Sequence, residues 1–243
     1  MREDSEGFLY PVVDSARCIG CNLCQKVCPV LGQGRERKPL AVYAAKSRGE
    51  QVRNGSSSGG VFSLLAAKTI EEGGVVFGAR FDENWDVVHG YTETEEGIAA
   101  FRGSKYVQSR IGRSFAEARR FLMAGRKVMF TGTSCQIAGL KDYLQKDYDG
   151  LLAVDVVCHG APSPKVWRQY LNETAAGCGD GFRVKAVSFR DKAQGWKAYR
   201  FSMTLSKDRQ GGEEAVATTL TLPSSENAYM NTFLSNLSLR PSC

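Results

Sequence analysis

Residues 126–160 read RKVMFTGTSCQIAGLKDYLQKDYDGLLAVDVVCHG, and this stretch decides the fold class. Arg126–Gly132 carries a short apolar run of strand character, closed by Thr131-Gly132. Ser134–Tyr148 then places apolar residues at helical spacing, and Leu151–Gly160 returns to a continuous apolar run. A buried strand, a helix and a second buried strand in immediate succession indicate an α/β sheet.

The same alternation extends outward in both directions. Upstream, LAVYAAKS (40–47) is expected to be a strand and SGGVFSLLAAKTIEEGG (58–74) a helix closed by glycines. GVVFGARF and WDVVHGYT follow as strands separated by a polar turn, and GRSFAEARRFLMAG is an amphipathic helix. Downstream, SPKVWRQYLNETAA is a helix. FRVKAVSFRDK, WKAYRFSMTLS and EAVATTLTLP are strands, and ENAYMNTFLSNLSL is a last helix. The expected class is α/β with α+β additions, in which an antiparallel unit follows the alternating core.

The N-terminal region is of another kind. Cys18, Cys21, Cys24 and Cys28 stand in CIGCNLCQKVCPV, a C-x2-C-x2-C-x3-C-P run. That is the bacterial ferredoxin spacing for a 4Fe-4S cluster. Three thiolates on a tight loop reach three irons of one cubane, and Gly20 lets backbone amides approach it. Zinc also accepts four thiolates, but zinc ribbons divide theirs between two separated C-x2-C knuckles. In two-cluster ferredoxins the fourth cysteine serves the other cluster, so Cys28 points to a second centre. EGFLYPVVD (6–14) resembles the connector between the halves of such a domain. The expected organisation is half of a ferredoxin-like 4Fe-4S domain over 1–38, a polar linker within 30–39, and a mixed α/β domain over 39–243. The orphan run and the ending at Cys243 suggest a fragment cut at both ends.

Composition narrows the field. The chain has 243 residues, 42% hydrophobic and 24% charged, as an ordinary globular protein does. No stretch has the roughly 20 apolar residues of a membrane span, and no secretory signal opens the chain. The eight cysteines therefore read as ligands and free thiols in a reducing cytoplasm rather than as a disulfide framework. The formal charge is +6, with eight basic residues between Arg102 and Lys127 against Glu117 alone. Without interleaved aromatics or a reading module, this stripe indicates no nucleic-acid partner, and it reads mainly as a solvated face.

Three expected strand-to-helix junctions carry residues suited to ligand chemistry. Asn54–Gly60 (NGSSSGG) opens a helix with small residues, an arrangement shared by anion sites and by ordinary capped helices. Thr131–Gln136 (TGTSCQ) follows a strand, as does Asp155–Gly160 (DVVCHG). Such junctions are where open α/β sheets bind ligands. Cys135 and Cys158 with His159 and Asp155 also admit a thiol-nucleophile reading, although a thiol ending a buried strand is commonly a packed hydrophobe. His89, on a half-buried strand, reads as structural.

SSSGGVFSLLA, GSKYVQS, GTSCQIAGL, DVVCHGAPSP and SFRDKAQGW occur here in the order seen in the coenzyme F420 hydrogenase/dehydrogenase beta-subunit family. The chain resembles that family over nearly its whole length. The resemblance implies an iron-sulfur flavoprotein with an N-terminal ferredoxin-type domain and an FAD-binding domain. It makes Cys18, Cys21, Cys24 and Cys28 cluster ligands. Cys243 would be a further ligand, matching the start of a later cysteine pair in longer members. Ser56, Ser57, Ser58, Gly59 and Gly60 would surround FAD, together with Lys105, Tyr106, Thr131, Gly132, Thr133, Ser134, Cys135 and Gln136. Cys158-His159-Gly160 and Ser188–Lys192 would face flavin or substrate, with His159, Lys105, Arg190 and Lys192 in catalytic roles. Ser134 stands where members commonly carry proline. The implied function is FAD- and 4Fe-4S-dependent oxidoreduction of a small organic substrate, with a deazaflavin coenzyme as one form of it. A ferredoxin-like or other redox protein would be the partner. The alternatives are an electron-transfer subunit docking on a separate catalytic protein, and a cysteine-dependent transferase with a structural cluster.

Overall fold

The computed structural model describes residues 1–32, 38–207 and 216–243. Part of the expected 30–39 linker and the first two residues of the strand expected from Glu214 lie outside these. A two-residue strand β1 (Arg2–Glu3) pairs antiparallel with β2 (Leu9–Tyr10), and a single turn, α1 (Leu23–Lys26), holds Cys24. Leu40–Ser47, expected as a strand, is irregular: Leu40, Val42 and Tyr43 are exposed, and the Ser47 amide donates to Gly59 O at 2.7 Å. A run of apolar residues with no neighbouring strand to pair with does not become one.

Helices α2 (Glu50–Asn54) and α3 (Val61–Glu71) lead to β3 (Val75–Phe81) and β4 (Val87–Thr92). A 3-10 turn over Glu96–Phe101 precedes α4 (Ser114–Met123), β5 (Val128–Thr133), α5 (Ser134–Leu144) and β6 (Leu151–Val156). These build a four-stranded sheet in the order β4-β3-β5-β6, with β3, β5 and β6 parallel and β4 antiparallel. β5 lies between β3 and β6, and Val128, Met129 and Phe130 are fully buried; an interior parallel strand reads as a continuous apolar run for this reason.

The helices cover both faces. Ser114, Ala118, Phe121 and Leu122 form one buried stripe of α4, and Ile137, Leu140 and Leu144 one of α5. Both pack on Val75, Phe77, Val128 and Phe130. On the opposite face, Ala66 of α3 packs with Val76, Met129, Ile98 and Phe101. Gly125, with φ 74°, follows the end of α4 in the left-handed conformation that glycine adopts without penalty.

The antiparallel addition follows. α6 (Pro164–Gly177) leads to β7 (Arg183–Asp191), β8 (Arg200–Lys207) and β9 (Val216–Pro223), in that spatial order, then α7 (Ala228–Leu234). Its core is aromatic: Trp167, Phe189, Phe201 and Tyr229 are buried together with Met203 and Leu205. Trp167 Nε1 donates to Trp85 O at 2.7 Å, fastening this unit to the turn before β4. No helix among the described residues is long and apolar enough to cross a membrane.

Candidate functional site

Chain direction decides where the ligand-suited loops meet. α3 runs into β3, whereas α5 leaves β5, so the N-termini of both helices lie at the carboxyl edge of the parallel strands. Open α/β sheets bind ligands at this edge. The Asn54–Gly60 and Thr131–Gln136 stretches, 77 residues apart at their starts, therefore share one rim of the sheet.

At the α3 end, the Ser57 hydroxyl accepts a 2.6 Å hydrogen bond from the Ser104 amide, and Arg102 Nε donates to Ser63 Oγ at 3.0 Å. These contacts place Gly103-Ser104-Lys105 against the serine loop. Ser56 Oγ donates back to Val52 O, and Ser58 is exposed. Gly59 has no room for a side chain, since a β-carbon there would lie 2.9 Å from Ala45 O. Gly60 caps α3 with φ 82°. Lys192 Nζ donates to Arg53 O at 2.6 Å, which brings the end of β7 to the same corner.

Three cations, with Asp191 among them in sequence, belong to this corner. Lys105 Nζ donates to Arg102 O and Gly103 O and lies 5.9 Å from the Phe81 ring centroid. Burial pulls its pKa down to about 8. Arg190 stacks its guanidinium 4.3 Å from the Tyr199 ring centroid, and its Nε is buried without a partner. Desolvation, with repulsion from Arg190, lowers the pKa of Lys192. Among the described residues none of the three forms an ion pair. Tyr106 turns the other way: its ring stacks on Phe233 at 4.7 Å, and its carbonyl accepts from Tyr229 Oη.

At the α5 end the loop is tightly tied. Thr131 Oγ1 donates to Phe77 O at 2.8 Å, and the Thr133 amide donates to Gln136 Oε1 at 3.0 Å as half of a capping box. Gly132 lies beneath that glutamine, with 3.0 Å between a β-carbon built there and Oε1. Ser134 Oγ donates to Asp155 Oδ2, and Thr133 Oγ1 lies 3.2 Å from Cys135 Sγ. The Thr131 and Ser134 hydroxyls are thus engaged within the protein, leaving Cys135 exposed at the rim.

Sequence reasoning grouped Cys135 with Cys158, and the fold also brings Cys243 toward them. Cys135 opens α5, Cys158 follows β6, and Leu239 bridges to Pro162 while the Arg240 amide donates to Ala161 O, carrying Cys243 alongside. Partial burial raises the Cys158 pKa, and Cys243 and Cys135 lie near enough to push it further up. His159 Nε2 donates to Asn236 Oδ1 at 2.7 Å, its ring 4.9 Å from Phe233. These residues are far apart in the chain, so only the fold brings them together.

The four-cysteine run is fastened to the same body. Phe8 is fully buried, Ser163 Oγ donates to Glu6 O, and Arg168 pairs with Glu3 and Asp86. Pro29 rests on α5, 3.8 Å from where a β-carbon on Gly139 would stand. Gly139 is one helical turn from Cys135 on the same face. Cys18, Cys21 and Cys24 are exposed free thiols and Cys28 a half-buried one. Gly20 (φ 68°) and Asn22 (φ 56°) bend the loop between them. Four soft thiols on a sharply turned loop suit an iron-sulfur cubane. Among the described residues no three His, Cys, Asp or Glu side chains converge as a single ion requires.

Three of the eight basic residues of the stripe are ion-paired. Arg110 pairs with Asp82 and Asp86, Arg126 with Glu93 and Lys127 with Glu72. Arg113, Arg119 and Arg120, on or beside α4, have no ion-pair partner among the described residues.

Family models match this chain in three segments. Residues 42–114 match the family model for the N-terminal part of the coenzyme F420 hydrogenase/dehydrogenase beta subunit, and residues 125–221 match the model for its C-terminal part. Residues 9–30 match a 4Fe-4S binding domain. No curated protein matches the chain. Among solved structures, the xenon-derivatised F420-reducing NiFe hydrogenase complex from Methanosarcina barkeri contains a chain with the same fold. It is 20% identical with a TM-score of 0.50, over 82% of this chain and 62% of that one. The present chain thus spans less than two thirds of that neighbour.

Proposed function

The chain belongs to the coenzyme F420 hydrogenase/dehydrogenase beta-subunit family and carries a 4Fe-4S binding domain, and on that premise we propose that it is an FAD- and 4Fe-4S-dependent oxidoreductase acting on a small organic substrate. One observation carries this reading: Pro29, which ends the cysteine run, rests on α5, whose first turn shares a sheet edge with the serine loop and its unpaired cations. When bound, an iron-sulfur cluster passes electrons singly, and FAD gathers two for transfer as a hydride.

The protein's own groups then have definite roles. Cys18, Cys21 and Cys24, in a module over 1–38, would hold one cluster, and Cys28 would serve a second centre. Cys158, with Cys135 and Cys243 near it, makes a second thiol-bearing region at the rim, and among the described residues it lacks the convergence that a single ion requires. In the body over 39–243, Ser56–Gly60, Lys105-Tyr106 and Thr131–Gln136 border the flavin. The free amides at the start of α3 favour its pyrophosphate. The buried unpaired Nε of Arg190 and the ammonium groups of Lys105 and Lys192 offset negative charge on flavin or substrate. His159, its Nε2 proton directed to Asn236, presents Nδ1 as a proton acceptor. The deazaflavin coenzyme that gives the family its name is the first substrate to test, and a ferredoxin-like protein in a reducing cytoplasm the first electron partner.

A second reading, an electron-transfer subunit docking on a separate catalytic protein, draws support from the aliphatic surface around the cysteine run. Ile19 is 87% exposed and Leu31 69%. Anaerobic reconstitution with iron, sulfide and FAD, followed by a visible spectrum and counts of iron and flavin per chain, separates the two. Iron with one FAD supports the oxidoreductase; iron without flavin supports the docking subunit.

A further inference from the structure

His89 is one of two histidines in the chain and lies on β4, outside the loops that form the sheet edge. It is 8% exposed, and its ring stacks on Phe130 at 5.5 Å between centroids, nearly parallel. Each ring nitrogen has one partner. Nε2 is 3.0 Å from the carbonyl oxygen of Thr131, and Nδ1 is 2.6 Å from Ser109 Oγ. A carbonyl only accepts, so the proton sits on Nε2; Nδ1 then accepts from the Ser109 hydroxyl.

These partners belong to different loops. Ser109 ends the Gly103–Ser109 stretch that begins against Ser57. Thr131 begins the Thr131–Gln136 stretch that opens α5. Gln136 makes a second, longer link, with Nε2 3.5 Å from Ser109 O. The His89 backbone adds a third, its amide donating to Arg110 O at 2.8 Å. β4 thus runs beside the segment that ends the first loop, and the imidazole ties that loop to the second.

We propose that His89 is a positioning residue that holds Gly103–Ser109 and Thr131–Gln136 in a fixed relation and thereby sets the affinity of the site they border. The first half stands on geometry alone; the second rests on the reading that these loops border FAD. Removing the imidazole takes away a partner of a buried carbonyl and of a half-buried hydroxyl, and each must find water or shift. Both loops then loosen where His89 holds them, at Ser109 and at Thr131.

The test uses the whole chain with its cluster reconstituted. His89→Phe keeps an aromatic ring on Phe130 and removes both hydrogen bonds, whereas His89→Gln keeps a donor for Thr131 O. In His89→Phe, amide hydrogen exchange over 104–109 and 131–136 is expected to rise about tenfold, with α6 and β8 unchanged. FAD binding is expected to weaken about tenfold at constant iron content, and His89→Gln to recover most of both effects. Unchanged exchange in a folded His89→Phe protein would overturn the positioning role. Local loosening without loss of FAD affinity would overturn its connection to the site. If wild-type protein binds no FAD, the flavin reading fails and exchange alone decides the positioning role. Should His89→Phe not fold, Ser109→Ala, which removes one of the two bonds, is expected to loosen 104–109 and is judged by the same two measurements.

Discussion

The Ser104 amide donates a 2.6 Å hydrogen bond to Ser57 Oγ across 47 residues of chain, and this one contact turns two unrelated loops into a single corner. Gly59 lies beside it, with the Ala45 carbonyl oxygen 2.9 Å from the place a β-carbon would take. Backbone cannot yield there as a flexible side chain would. Gly59→Ala is expected to displace the serine loop at a cost of roughly 1–3 kcal/mol. FAD affinity, read by quenching of flavin fluorescence, should fall by about tenfold or more, while iron content stays at the wild-type level.

Lys105 gives the corner a titratable charge. Its folded pKa, about 8, lies below the ordinary lysine value of 10.5, so the ammonium is lost as pH rises through 8. Two consequences have opposite signs. An anionic ligand that uses this charge binds more weakly above pH 8. The folded protein, which no longer holds a desolvated cation, gains stability between 8 and 10.5 relative to a Lys105→Met variant. Affinity and thermal unfolding measured across pH 7–10.5 check both, and a variant that retains either pH dependence would exclude Lys105 as its source.

His89 titrates in the acid direction. Burial lowers its pKa below 6.5, and no charged group contributes to the shift. A depressed folded pKa gives stability that is complete above 6.5 and is lost as pH falls through the folded value. The melting temperature of wild-type protein is expected to drop more steeply below pH 6 than that of His89→Gln. Parallel curves for the two proteins would show that acid unfolding begins elsewhere.

Thiol substitutions divide the cysteines by role. Cys18→Ser, Cys21→Ser or Cys24→Ser is expected to remove most of one cluster's iron. Cys178→Ser, at the end of α6 and away from both thiol groups, should leave iron unchanged. Cys135→Ser and Cys158→Ser test the second group: loss of a further increment of iron makes it a cluster site, and full retention assigns these thiols to the loop alone.

Local chemistry made much of this fold legible. Val128–Phe130 announces an interior strand because nothing polar interrupts it, whereas the capping box of Thr133 and Gln136 emerged only with the structure. The cysteine spacing is local too. Leu40–Ser47 misled because its alanines and aliphatics carry strand propensity, whereas pairing depends on a neighbour the segment lacks. His89 looked structural for the converse reason: its partners lie 20 and 42 residues away, and a single side chain carries no trace of them. The gathering of Cys135, Cys158 and Cys243 depends on the Pro162–Leu239 bridge, a contact between segments that share no pattern.

The anchoring of residues 3–10 onto α6, with Pro29 seated on Gly139, has a kinetic meaning. In many redox proteins a carrier domain swings on a loose tether, and its encounter with the acceptor limits turnover. Here the tether is stitched down at Glu3, Glu6 and Phe8 and again at Pro29, so the gap between an iron-sulfur centre in the run and the rim of the sheet is a property of the fold. Internal electron passage should then behave as tunnelling over a fixed distance, indifferent to the viscosity of the solvent.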